Sequence, residues 1–319
     1  MLSLLKNEWI KLWNKKQTWA FAALIIAISF GAALLFSLVL TEDVASEDGW
    51  EMTLEREIAE QEEILASEPD DEWEIEYAES VIAENEQLLE AGVDPNANNN
   101  MIFLNDSFLF VASFITLFSV IVASSIVSSE IDNNTMKHLL IRPYERWQIL
   151  LSKFVTVLAF TLTLIGLLLV SNLIFGTLFF GTGSFSSPVS ELTMNEGNVI
   201  TAVNEVLPAK IGLYFLNMLM FVIISFAISI LFKSQTLAVG IGIFILFSTS
   251  ILQGLTMLLE EYAWYKFIFL PHLSLPTYAV EDHILQDVGL GFSLMILAIY
   301  GIIFMAACFT YFQKRDLAD

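Results

Sequence analysis

The chain has 319 residues, 56% of them hydrophobic and 16% charged, with a formal net charge of −22. So apolar a composition excludes an ordinary soluble domain and marks a polytopic membrane protein. One cysteine, Cys308, excludes an intrachain disulfide. The charge is uneven. Residues 41–106 hold 22 of the 36 acids and one base, Arg56, while the rest holds 14 acids and 13 bases. A near-neutral membrane body therefore carries one acidic insert, and nothing suggests binding to nucleic acid.

Residues 1–18 contain Lys6, Lys11, Lys15 and Lys16, with Leu2, Leu5, Trp9, Leu12 and Trp13 at helical spacing. This predicts an amphipathic helix lying on an anionic cytoplasmic membrane surface. The apolar run 19–40 exceeds the ~7–15 residues of a signal-peptide core, so it is expected to be an uncleaved first span. Five more spans are expected at 107–128, 154–180, 211–232, 236–259 and 289–312, since ~20 apolar residues cross a bilayer. The third is long enough that it must tilt or protrude. The fold class is thus all-α, with six transmembrane helices, an interfacial N-terminal helix and an extracellular helical insert.

The bases set the orientation. Residues 1–18, 129–153, 233–235 and 313–319 carry eleven Lys and Arg, against three (Arg56, Lys210 and Lys266) in the alternate segments. The positive-inside rule then places both termini in the cytoplasm and the 41–106 insert outside.

Within the insert, Leu54, Ile58, Gln61 and Leu65 follow a 4-3-4 spacing, and Ile75, Ala78, Ile82, Asn85 and Leu89 a 3-4-3-4 spacing. Between them, Ser67 to Asp71 has helix-stop and helix-start chemistry. Two short helices in an antiparallel hairpin are expected. Asp70, Asp71, Glu72 and Glu74 lack the spacing and glycine of a calcium loop and read as a solvated face. The segment 181–210 reads as a polar extracellular loop. The segment 260–288, with Trp264, Tyr265, Phe267, Pro271, His272 and Pro276, reads as an aromatic layer at the outer surface.

No Walker A loop, HExxH, G-x-S-x-G or CxxC occurs, so no catalytic residue is named and no ATP site is expected in this chain. The three histidines, at 138, 272 and 283, have no metal-ligand spacing, and no metal site is expected. The spans as drawn contain no charged residue or histidine, which argues against a proton-coupled carrier. Asn172, Asn217 and Gln253 are their conspicuous polar residues, placed either for helix packing or along a pathway. Ala23, Ala27 and Gly31, and Ala238 and Gly242, stand at four-residue spacing that permits close helix contact.

The stretch between the second and third spans is the most specific. It contains Glu130, Asn134-Thr135, Leu139-Leu140, Pro143, Arg146 and Lys153. It resembles the first cytoplasmic loop of bacterial ABC-2 type transporter permeases, with Asn134 where that family usually has glycine. The six-span layout and the amphipathic N-terminal helix fit the same family. The resemblance implies the transmembrane subunit of an ATP-driven transporter of exporter type in the bacterial cell membrane. It implies a separate ATP-binding subunit carrying ATP and Mg, and a second permease copy or sister permease within membrane lipid. The coupling residues would be Glu130, Thr135, Met136, Leu139, Leu140, Arg142, Pro143 and Arg146. A short helix over 134–141, ended by Pro143, would present Met136, Leu139 and Leu140 to a groove on the ATPase. The alternative is a membrane sensor or scaffold using the acidic hairpin as receptor.

Overall fold

A computed structural model describes residues 1–43, 49–67, 71–133, 135, 144–193, 197–232, 234–259, 262–285 and 287–314. The helices are α1 (Leu2–Trp13), α2 (Lys16–Asp43), α3 (Trp50–Ala66), α4 (Glu72–Ala91), α5 (Asn100–Ser125) and α6 (Ser128–Asp132). They continue with α7 (Arg146–Phe180), α8 (Val203–Leu231), α9 (Gln235–Gly254), α10 (Thr256–Leu259) and α11 (Leu290–Lys314). Two small antiparallel hairpins add strands β1 (Pro188–Thr193) with β2 (Gly197–Ala202), and β3 (His283–Leu285) with β4 (Val288–Gly289).

Five of these helical stretches are long and apolar enough to cross a membrane: Lys16–Leu38, Asn100–Asp132, Arg146–Phe180, Val203–Leu231 and Leu290–Lys314. Large apolar side chains on them point outward, as Leu178 and Ile302 do. Such exposure suits hydrocarbon rather than water. The chain is therefore a helical, membrane-embedded protein. The expected fifth span corresponds to α9, a 20-residue apolar helix.

Several expected boundaries move. α5 starts at Asn100, so the end of the acidic insert is already helical. α7 starts at Arg146, so the last turns of the 129–153 segment join the third span. At ~1.5 Å per residue its 35 residues run about 52 Å, well past a ~30 Å hydrocarbon core. The 181–210 segment is not simply a loop. It holds the β1–β2 hairpin, paired from Pro188↔Ala202 to Thr193↔Gly197, and then the first turns of α8.

The chain divides into two compact units, to which α2, α5, α7 and α8 each contribute residues. One comprises 29–108 and 170–208. Here α3 and α4 form the expected hairpin. Leu54 packs with Leu88, and Asn85 Nδ2 donates to Glu57 Oε2 at 3.1 Å. In both pairs one number falls as the other rises, which is the signature of antiparallel packing. Asp71 caps α4 by accepting from the Trp73 N–H at 3.0 Å. Gly92 ends it with a left-handed φ of 64° that glycine adopts without strain. Val93 and Ile200 of β2 extend this small core.

The same unit explains Asn172. It is fully buried and its Nδ2 donates to Ser107 Oγ at 2.8 Å, so it ties α7 to α5.

The other unit comprises 1–28, 109–169 and 209–319. Gly242 on α9 meets α5 so closely that a Cβ would collide with Ser124 Oγ. This is the close contact its spacing permits. Tyr214 Oη donates to Ala112 O at 2.7 Å and lies 2.9 Å from Thr116 Oγ1. Beside it, Asn217 lines a cavity of about 510 Å³ with Thr116, Phe221 and Ser274. The side chain of Gln253 lies outside the described residues.

In the 260–288 segment, Tyr265–Phe267 and Pro271–Ala279 form 3-10 turns. His272 is held through both ring nitrogens. It is buried, 2.7 Å from Ser293 Oγ, with Nε2 2.9 Å from the Lys266 carbonyl. Burial lowers its pKa, against the Lys266 carbonyl, which favours a protonated ring.

Candidate functional site: a closed ring of four charges

α1 is amphipathic, and the expected face is largely the buried one: Leu12 is buried and Leu5, Trp9 and Trp13 are half-buried, joined by Leu4 and Glu8. Leu4, Glu8 and Leu12, at i, i+4 and i+8, are buried, whereas Leu2 is 83% exposed. A glutamate stands in the middle of the buried stripe because it has a partner there. Trp13, at the end of α1, packs on Trp9, Trp19 and Phe160. Thr18 Oγ1 donates to Leu12 O at 2.6 Å and closes the turn into α2. The helix is thus docked on protein over this face.

The partner is Lys153 on α7, which is fully buried. Its Nζ lies 2.7 Å from Glu8 Oε2 and 2.8 Å from Glu130 Oε1. Lys11 Nζ lies 2.5 Å from the same Glu130 oxygen and 3.4 Å from Glu8 Oε1. The four groups make a closed ring, Lys11–Glu130–Lys153–Glu8, with zero net charge. Each ammonium has two carboxylates and each carboxylate two ammoniums. A buried charge is tolerated only with such pairing.

The local chain geometry brings Glu130 to this place. α5 stops at Ser125 and α6 begins at Ser128. The Val127 and Ser128 N–H groups at this break both donate to Ser229 Oγ of α8, at 3.0 Å each. α6 then carries Glu130 onto α1. Beyond it, the Thr135 N–H donates to Glu130 O at 2.9 Å.

The ring shifts its own titrations. Burial opposes ionisation of Glu8, but the Lys153 ammonium outweighs it, with help from Lys11, and holds the carboxyl below its ordinary range. Burial likewise opposes the charged Lys11, but Glu130 and then Glu8 raise its pKa. Lys15, at the foot of α2, is lowered by burial and by the nearby Lys153.

The family described as "Protein of unknown function (DUF2705)" matches residues 82–318. The chain belongs to the DUF2705 family. The matched stretch contains Glu130 and Lys153, while Glu8 and Lys11 precede it. "Uncharacterized protein YhcI" of Bacillus subtilis (strain 168) is 29% identical over 324 residues, covering all of both chains. "Uncharacterized membrane protein YdbK" of the same organism is 30% identical over 202 residues, covering 62% of this chain and 76% of that protein.

Of the residues the sequence singled out in this DUF2705 chain, Glu130 is a buried member of the ring. Thr135 stands next to it in the fold through the Glu130 carbonyl. Arg146 opens α7 and donates from Nη1 to Gln313 O at 3.2 Å. Met136, Leu139, Leu140, Arg142 and Pro143 lie outside the described residues, as does the expected 134–141 helix apart from Thr135.

Sequence reasoning passed over Glu8, Lys11 and Lys153 as a group. Two signals were available. Glu8 is the sole acid in the first 18 residues, and Lys153 abuts a long apolar run.

Proposed function

We propose that this protein is the transmembrane permease subunit of an ATP-driven ABC-2 type transporter, working as an exporter with a separate ATP-binding subunit. The observation that carries the reading is the Glu130–Lys153 ion pair at 2.8 Å. These residues stand near the two ends of the 129–153 segment, whose motif resembles the permease coupling loop. Both ends are joined to each other and to α1 by buried charge. A push on the loop would therefore reach α5, α7 and the N-terminal helix together, as a two-state transport cycle needs.

In this reading the chain has six spans, with α9 as the fifth, and both termini are cytoplasmic in a bacterial cell membrane. ATP and Mg are held by the partner, and two permease copies, or this chain with a sister permease, enclose the pathway. The apolar trio Met136, Leu139 and Leu140 fills a groove on the ATPase, flanked by Arg142 and Arg146. A sensor or scaffold is the second reading. What favours it is the exposed Trp73–Tyr77 stack on acidic α4, with ring centroids 5.5 Å apart.

The test is isolation of the tagged full chain from its native membrane in mild detergent. Copurification of an ATP-binding subunit, with ATP hydrolysis that depends on this chain, supports the permease. A clean preparation without any ATPase overturns it and favours the sensor.

A further inference from the structure

Beside the charge ring lies a cavity of about 440 Å³, within the ~300–1,000 Å³ range of small-ligand sites. Glu8, Lys11, Lys15, Gln17, Glu130 and Asn133 are among its lining residues. It opens at the junction of α1 and α2, where the apolar first span begins at Lys16. In a bilayer this is the level at which an apolar helix gives way to headgroups.

Two groups in the cavity have unmet needs. Lys11 and Lys153 both bind Oε1 of Glu130, and Glu130 Oε2 is buried with no hydrogen-bond partner among the described residues. Glu130 as a whole is only 9% exposed. A buried, unpartnered carboxylate oxygen calls for a donor. Lys15 lines the same cavity and makes no ion pair among the described residues, although it stands near the anions Glu130 and Glu8 as well as the cations Lys153 and Lys11. Lys11, Lys15 and Lys153 outnumber Glu8 and Glu130 by one, and Glu130 Oε2 has no donor among the described residues, so the cavity can take one anion and one N–H donor. Gln17 and Asn133 add amides that can hold further oxygens.

We propose that this cavity binds a phosphoethanolamine group, its phosphate on Lys15 and Gln17 and its ammonium on the open oxygen of Glu130. A choline headgroup would not serve, because its methylated nitrogen has no N–H to give. A glycerol headgroup serves less well, because its hydroxyl gives the carboxylate only a neutral donor and a charge-assisted hydrogen bond is the stronger. The site requires only that the chain sits in a membrane and is independent of the transport reading. The group could arrive on a phospholipid or as the free small molecule.

The experiment uses the full chain in detergent and native mass spectrometry. Phosphatidylethanolamine, phosphatidylcholine and phosphatidylglycerol with identical acyl chains are titrated separately. The expected result is at least tenfold tighter binding of the ethanolamine lipid, about 1.4 kcal/mol, and loss of that preference in Lys15→Gln. Lys6→Gln, an exposed change elsewhere on α1, should keep it. Competition by free phosphoethanolamine at millimolar concentration supports a headgroup-only site open to the soluble compound. Failure to compete supports a lipid site that also needs acyl chains. Equal binding of the three lipids, no binding, or a preference that survives Lys15→Gln overturns the proposal. Because the lipid comparison is made on the unaltered chain, it stands even where a variant fails to fold.

Discussion

Glu8 and Lys153 are 145 residues apart in the chain and 2.7 Å apart in the fold. The pair joins the N-terminal helix to the base of α7, and the Lys153 end is fully buried. Its formation requires that α1 dock in one register, since moving Glu8 by one residue turns the carboxylate about 100° away from the lysine.

Breaking this pair from one side should be costly. Lys153→Met leaves Glu8 and Glu130 buried beside one cation instead of two. Removing one partner of a buried ion pair costs about 3–5 kcal/mol. The thermal midpoint of the purified chain should fall clearly, and α1 should become accessible to protease. Adding Glu8→Gln to Lys153→Met should recover part of the loss, because an unpaired charge is removed. A midpoint unchanged in the single variant would show that the ring carries no stability.

The titrations give the pH response a definite sign. The Glu8 carboxyl lies below its ordinary value of 4.5, so the folded chain binds that proton more weakly than the unfolded chain. Its contribution is whole above that ordinary value and is lost as pH falls through the lowered one. Lys11 lies above its ordinary value of 10.5, so its contribution is whole below that and is lost as pH rises through the raised one. Thermal midpoints should form a plateau from about pH 5, rise slightly as Lys15 loses its proton below its ordinary 10.5, and fall at both extremes. Glu8→Gln should lower the plateau and flatten the acid limb. An acid limb of the same steepness in that variant would assign it to other carboxylates.

The α3–α4 hairpin allows a test of backbone conformation without loss of contacts. A Cβ at Gly92 would meet nothing within 4 Å, yet the φ of +64° is strained for any L side chain. Gly92→Ala should therefore destabilise the hairpin by about 1 kcal/mol. Hydrogen exchange of the Trp50–Ala91 amides in the intact chain should speed up several-fold, with α5 and α7 unaffected. Unchanged exchange would mean that the hairpin is held from elsewhere.

The hairpin was legible in the sequence because its determinants are local. The spacing of Leu54 and Asn85, the Asp71 cap and the Gly92 stop all lie within the segment they organise. The membrane helices were legible from apolar length alone, although their ends were not. Asn100 and Arg146 begin helices within stretches whose polar composition suggested loops. The β1–β2 hairpin was missed because its strands are short and only Val189 and Thr193 among the β1 residues are buried. The charge ring was missed because its four members come from three separate elements. Glu8 on an otherwise basic helix has no visible reason until Lys153 is seen beside it.

The central claim is that the 129–153 segment docks on a separate ATPase. Leu139→Asp together with Leu140→Asp would place two unpaired charges in the proposed groove. Desolvating them costs several kcal/mol, enough to weaken binding by orders of magnitude. Neither change touches a span or the ring, so the amount of this chain in the membrane should stay near wild type. The measurement is recovery of the ATP-binding subunit with the tagged chain from detergent extracts, beside a blot of the chain itself. The account predicts normal levels of the chain and loss of the ATPase. Full ATPase recovery with the double variant would contradict the docking role of this loop.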